Sequence, residues 1–211
     1  MDTIENIRKM TKSELKNLGL HLEIRDYKQV SDVILNADVF IEIAKNSHIK
    51  YEYDKERKAL ICDRILHTPL NYQFNYGFIP NTLSEDNDPI DAVVIMDDEL
   101  VPGCYINCKI IGVLETRDDA GNDPKLIMLP SYKIDPAYAA YDNINEISKS
   151  TRDKIKYFFS HYKDLENKKV VVGDFKDKEE ALKIYEESIK RFNKPFVTSD
   201  KITNYYSYIR V

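Results

Sequence analysis

The hydrophobic period of this chain changes near residue 150, and that change constrains its fold more than any other feature. From about residue 33 to 130 apolar positions follow strand patterns broken by turn residues. In "DVFIEIAK", Val39, Ile41 and Ile43 fall on one face of a strand, and Phe40 and Glu42 on the other. "IKYEY" and "KALICDR", joined by the charged "DKER", read as a hairpin. "AVVIM", "CYINCKIIGVLE" and "KLIMLP" follow, separated by "DDELVPG" and "RDDAGNDP". Beyond residue 150, Ile155, Phe158, Phe159 and Tyr162 recur at helical spacing, with Ser150 or Thr151 as the expected N-cap. "KKVVVGDF" is one more strand, and "KDKEEALKIYEESIKRFN" an amphipathic helix with Glu/Lys pairs on its wet face. Residues 3–19 also predict a helix, with Thr11 and Glu14 at capping-box spacing and Gly19 as a stop. Strands first and helices later predict an α+β domain built on a small, closed antiparallel sheet.

A chain of 211 residues fits one domain with appendages and can bury a substantial core. Its net charge of −5 argues against a general nucleic-acid binder, which would carry a basic excess. No apolar run approaches the roughly 20 residues of a membrane span, and the N-terminus lacks the apolar region of a signal peptide. A cytoplasmic location is therefore expected. The three cysteines, Cys62, Cys104 and Cys108, have no histidine at zinc-finger spacing and read as small buried hydrophobes in a reducing compartment. The six glycines form neither a GxGxxG nor a P-loop pattern, which weakens a dinucleotide-binding or Walker-type reading.

The stretch "EDNDPID" places four carboxylates in seven residues, directly before an apolar strand. Like charges so close repel unless a cation relieves them. In extended backbone Asp86 and Asp88 share a side while Asp91 points away, unless a bend, here suggested by Pro89, brings the three together. Carboxylates without His or Cys suit Mg²⁺ or Mn²⁺ before Zn²⁺. A calcium loop starting at Asp86 is excluded, because Ile90 and Asp91 stand where a ligand and a glycine belong. A solvated acidic turn is the plain alternative. A second acidic loop, "RDDAGNDPK", adds Asp118, Asp119, Asp123 and Lys125. Lys50, Glu52, Arg64, Tyr72 and Tyr76 stand in the segment 48–82. Taken singly these are surface charges and core aromatics. Taken together they describe a cleft with cation-binding carboxylates on one wall and anion-binding groups on the other, suited to a phosphate substrate carried as its magnesium salt.

With these residues in view, the chain resembles family I soluble inorganic pyrophosphatases. "DNDPIDA" matches that family's Asp-x-Asp-Pro-hydrophobic-Asp-small signature. The likeness continues in order through "FIEIAKNSHIKYEYDKERKALICDR", "NYGFIPNTL", "PGCYINCKIIGVL", "DDAGNDPKL" and "HYKDLE", covering residues 38–170. It implies a five-stranded OB-like closed β-barrel flanked by α-helices. One domain would span 1–211, with a core at about 33–192, an N-terminal extension 1–32 and a tail 193–211.

The resemblance also implies the activity: hydrolysis of pyrophosphate to two orthophosphates by a metal-activated water, Mg²⁺-dependent, with Mn²⁺ or other divalent ions as substitutes. Asp86, Asp91 and Asp123 would hold two ions that activate water. Asp118 and Asp123 would hold a third, and Glu42 would contact a fourth. Glu52 would organise water. Lys50, Arg64, Lys125, Tyr162 and Lys163 would bind the phosphoryl groups, with Tyr76 near the nucleophile and Tyr72 lining the pocket. Asp88 would be the general base, and no covalent intermediate is required. His21, His48 and His67 are left as structural or surface residues. A homo-oligomer is implied, a hexamer being favoured. Tyr157 stands where bacterial hexamers commonly carry a histidine at a subunit contact, while His161 and Asp164 remain, so a lower oligomer stays open. Gln73 replaces a frequent proline. A relaxed phosphohydrolase acting on nucleotides, and a silent metal- or phosphate-binding module, are the competing functions.

Overall fold

The computed structural model describes residues 20–24, 33–118, 121–166 and 168–193. The helix expected at 3–19 and the tail beyond 193 lie outside the described residues. Ten strands are described: β1 (Leu20–Ile24), β2 (Val33–Ile43), β3 (Ile49–Asp54), β4 (Ala59–Ile65), β5 (Asn75–Phe78), β6 (Asp91–Val94), β7 (Tyr105–Asp118), β8 (Gly121–Asn122), β9 (Lys125–Pro130) and β10 (Val171–Lys176). The α-helices described are α1 (Lys149–His161) and α2 (Lys178–Phe192).

Strand pairing runs in a ring of five. β2 pairs with β5, β5 with β6, β6 with β9, β9 with β7, and β7 returns to β2. β7 makes this possible through its length of 14 residues. Its start pairs with β2, its middle with β9 and its end with β10, so Cys108 lies opposite both Ala37 and Pro130. The closed antiparallel sheet expected from the sequence is corrected to a mixed one, because β6 and β9 are parallel. The reason is topological: β9 turns back antiparallel along β7, and that sets its direction beside β6. β3 and β4 form the expected hairpin as a separate two-stranded sheet. β1, a strand the sequence reading did not place, pairs with the outer edge of β2.

Neighbouring residues of the ring strands feed different cores. Val39, Ile41, Ala92, Val94, Leu126 and Met128 pack with Tyr185 and Ile189 of α2. Val93, Ile127 and Leu129 pack with Ile155, Phe158 and Phe159 of α1. Strands buried on both sides read as continuous apolar runs, which is why "AVVIM" and "KLIMLP" do not alternate. Close approach demands glycine at Gly77, where a Cβ would collide with the Phe40 carbonyl oxygen and lie 2.8 Å from its carbon. α1 is capped by Ser148, whose Oγ accepts from Thr151 N at 3.1 Å, rather than by Ser150 or Thr151. Asp177 caps α2 in the same way, with Glu179 and Glu180 in its first turn and Lys190 and Arg191 in its last. Among the described residues no helix is long and apolar enough to cross a membrane.

Candidate active site

The acidic stretch becomes a closed loop between β5 and β6. Ile79 N donates to Ile90 O at 3.0 Å, and Thr82 Oγ1 accepts from Ile90 N at 2.9 Å, so the two ends of the loop meet. Ser84 N donates to Asp88 O at 2.7 Å, and Asp88 N to Asp86 Oδ1 at 3.1 Å. The sharp bend falls at Asn87, in the left-handed region with φ 72°, two residues before the Pro89 that the sequence suggested. Asparagine tolerates that conformation better than most residues, and its position was not read as a turn signal.

Parallel pairing then does what loop sequence could not. Register puts Asp91, the first residue of β6, opposite Lys125, the first residue of β9. The Lys125 ammonium pairs with Asp91 and, at 2.5 Å, with Asp123 Oδ2. The backbone of Asp123 is tied to Thr116, its N–H donating to Thr116 O at 2.9 Å. The two acidic loops therefore meet at one cation. Asp118 joins from the end of β7, 3.4 Å from the Lys163 ammonium. Asp119 lies outside the described residues.

The basic wall is the hairpin. Lys50 and Arg64 are register partners, and Lys50 pairs with Glu52 beside it and with Asp63 at 3.5 Å. Glu42 anchors the hairpin to the ring by accepting from Tyr53 N at 2.7 Å. Tyr72 and Tyr76 belong to an aromatic layer with Phe74, Phe158, Phe159 and Tyr162, the Tyr72–Phe158 centroids being 4.6 Å apart. The Tyr76 ring lies 6.0 Å from the Lys125 ammonium. Asp88 stands apart from the clasp: its side chain is 76% exposed and lies 3.6 Å from Lys55 Nζ, a contact not foreseen from sequence. Glu166, also missed, accepts from Arg64 Nε at 3.0 Å. No spacing rule links residues 102 positions apart.

Burial and crowding shape the charges. Burial pushes the Glu42 carboxyl up to about 8, against the Tyr53 N–H bond. Burial also pushes Asp123 up to about 7, with Asp91 and Asp86 adding and Lys125 opposing. Asp86 is raised by burial and by Asp88 and Asp91. Burial disfavours the Lys125 charge, yet Asp91 and Asp123 outweigh it and hold the ammonium above the usual lysine range. The phenols of Tyr72, Tyr76 and Tyr162 are pushed up by burial and remain neutral donors. Among the described residues no three carboxylate, histidine or cysteine groups converge on one ion position, since Lys125 stands between Asp91 and Asp123. The donor set is nevertheless oxygen-only and over-supplied with negative charge, and in kind it fits hard divalent cations.

Elsewhere, a cavity of about 670 Å³ opens between the loop at Leu70–Gln73 and α1 and holds none of these carboxylates. Cys108 is buried, as expected, but Cys104 is half-buried and Cys62 exposed, so the reading of all three as buried is corrected; all are free thiols.

Comparison with known proteins finds relatives over most of the chain. The inorganic pyrophosphatase family profile matches residues 39–193. An inorganic pyrophosphatase of Helicobacter pylori (strain ATCC 700392 / 26695) is 50% identical over 155 residues, covering 73% of this chain and 90% of that protein. One from Nanoarchaeum equitans is 47% identical over 156 residues, covering 74% and 96%. The solved Helicobacter pylori enzyme superposes with a TM-score of 0.74 at 49% identity, covering 75% of this chain and 94% of the other. The Thermus thermophilus structure gives 0.73 at 31% identity, covering 84% and 99%. The chain belongs to the inorganic pyrophosphatase family.

The raised Glu42 carboxyl gives a signed pH dependence for the metal-free protein. Its folded value lies above the unfolded value of 4.5, so the folded state holds the proton more tightly between 4.5 and about 8. This contribution is full below 4.5 and is lost as pH rises toward about 8. Urea unfolding in a chelator should show a loss of about 2–4 kcal/mol across that window from Glu42. Glu42→Gln should make the profile shallower, leaving the part that the raised Asp123 contributes below about 7. An equally steep profile in the variant would reject the assignment.

Proposed function

We propose that this chain hydrolyses inorganic pyrophosphate to two orthophosphates. The observation that carries the reading is the meeting of Asp91 and Asp123 on the Lys125 ammonium, beside a wall carrying Lys50 and Arg64. Pyrophosphate is highly charged at neutral pH, so water must be activated and the substrate's charge offset. Divalent ions, Mg²⁺ first and Mn²⁺ as a substitute, would be held by Asp86, Asp91, Asp118, Asp123 and Glu42, and when bound they neutralise the substrate and lower the pKa of water.

The chain's own groups do the rest. Lys50, Arg64, Lys125 and Lys163 offset and orient the phosphoryl oxygens, and Tyr162 donates from a phenol that burial keeps neutral. Tyr76 serves likewise beside Lys125. Tyr72 lines the pocket and Glu52 orders water near Lys50. Water attacks one phosphorus, the bond from that phosphorus to the bridging oxygen breaks, and the second phosphate leaves. Asp88 accepts the proton; its exposure and its backbone bond to Asp86 suit a group that must exchange protons with solvent. The five-strand ring is read as an OB-like closed barrel, and residues 1–211 as one domain. We also read the chain as a homo-oligomer, a hexamer by preference, on the strength of the family resemblance and of His161 and Asp164, which pair at 2.8 Å at the end of α1. Tyr157, exposed beside His161, is the departure that leaves a lower oligomer open.

With Mg²⁺, phosphate release from pyrophosphate should far exceed release from ATP and vanish in a chelator; faster ATP turnover rejects the reading. Asp88→Asn should lower kcat at least about 10²-fold with Mg²⁺ affinity largely retained, and unchanged turnover removes Asp88 from the base role. Sedimentation equilibrium should return a hexamer mass, and a monomer at micromolar concentration would refute the assembly.

A further inference from the structure

Arg64 enters the site from the end of β4, but a distant residue fixes its direction. Its Nε lies 3.0 Å from Oε1 and 3.0 Å from Oε2 of Glu166. Glu166 closes the short 3-10 turn Asp164–Glu166 after α1, and its N–H donates to Lys163 O at 2.9 Å. The same few residues of chain therefore carry Tyr162, Lys163 and the partner of Arg64. The Glu166 side chain is 5% exposed. The other carboxylate on the guanidinium, Asp63 at Nη1, is 33% exposed and is shared with Lys50. Exposed pairs are screened and yield easily to a more highly charged anion, whereas a buried pair with direct hydrogen bonds holds its geometry. A guanidinium is a rigid planar fork, so holding its Nε end sets where the Nη end points.

We propose that Glu166 is a positioning residue: it holds the Nε end of Arg64 so that the Nη end meets the anion bound between β4 and the end of α1. It also makes the hairpin cation and the helix-end groups Tyr162 and Lys163 act as one unit. Glu166 would not touch substrate, since its carboxylate would repel a phosphoryl group and lies buried beside the guanidinium. The inference rests on the pyrophosphatase reading of the site.

The test is a double-mutant cycle of Glu166→Ala and Arg64→Ala, read by steady-state turnover of pyrophosphate and by calorimetric binding of methylenediphosphonate, both with Mg²⁺. Glu166→Ala should weaken analogue binding and raise KM about tenfold, with kcat changed about twofold or less. Adding it to Arg64→Ala should cost nothing more. Glu166→Gln, which keeps the shape, should fall between and supplies the same reading if the alanine variant does not fold. Analogue affinity unchanged in the folded Glu166 variants overturns the proposal, as does a full additional loss on the Arg64→Ala background. A wild-type chain that binds the analogue but does not split pyrophosphate overturns the proposed function and leaves this inference standing. One that does neither overturns both.

Discussion

The site depends on one buried cation, the Lys125 ammonium clasped by Asp91 and Asp123. A lysine with a side chain only 4% exposed cannot stay charged without partners. Both partners here are supplied by backbone geometry rather than by flexible reach. Asp91 and Lys125 are first residues of paired parallel strands, and Asp123 is held by Thr116 two residues ahead of β9. The parallel step in the ring is thus what places a carboxylate opposite the ammonium.

Two walls meet at this clasp and are built differently. The strand wall is fixed by register: a slip of β6 by one residue would put Ile90 or Ala92, not Asp91, opposite Lys125. The helix wall is fixed by aromatic packing, through Tyr72 against Phe158 and Phe74 against Phe159. Burial within that layer keeps the phenols of Tyr72, Tyr76 and Tyr162 protonated beside several carboxylates, so each offers a donor rather than another negative charge. The Glu42 bond to Tyr53 and the Arg64 pair with Glu166 bind the hairpin to both walls.

Local signals carried much of this. The hairpin at β3 and β4 and the buried face of α1 followed from periodicity, and the strands β6, β7 and β9 from apolar runs bounded by turn residues, because each is settled within a few residues. Signals of similar strength misplaced the α1 cap by two or three residues: Ser148, Ser150 and Thr151 offer the same hydroxyl chemistry, and only the path of the backbone selects among them. The bend in the acidic loop was credited to Pro89 but lies at Asn87, since loop closure by Ile79, Thr82 and Ile90 decides which residue must turn left-handed. β1 escaped notice because a five-residue strand at the edge carries too little pattern to stand out.

What the sequence determined by itself was donor chemistry and local period: oxygen ligands without sulfur or imidazole, cations and phenols in quantity, strands before helices. Those properties belong to residue types and near neighbours, so they survive without coordinates. Tertiary structure alone decided which groups meet. Asp91 faces Lys125 across 34 positions, and Glu166 holds Arg64 across 102. Such contacts are set by strand direction, register and the packing of α1, which depend on the whole chain closing around its core.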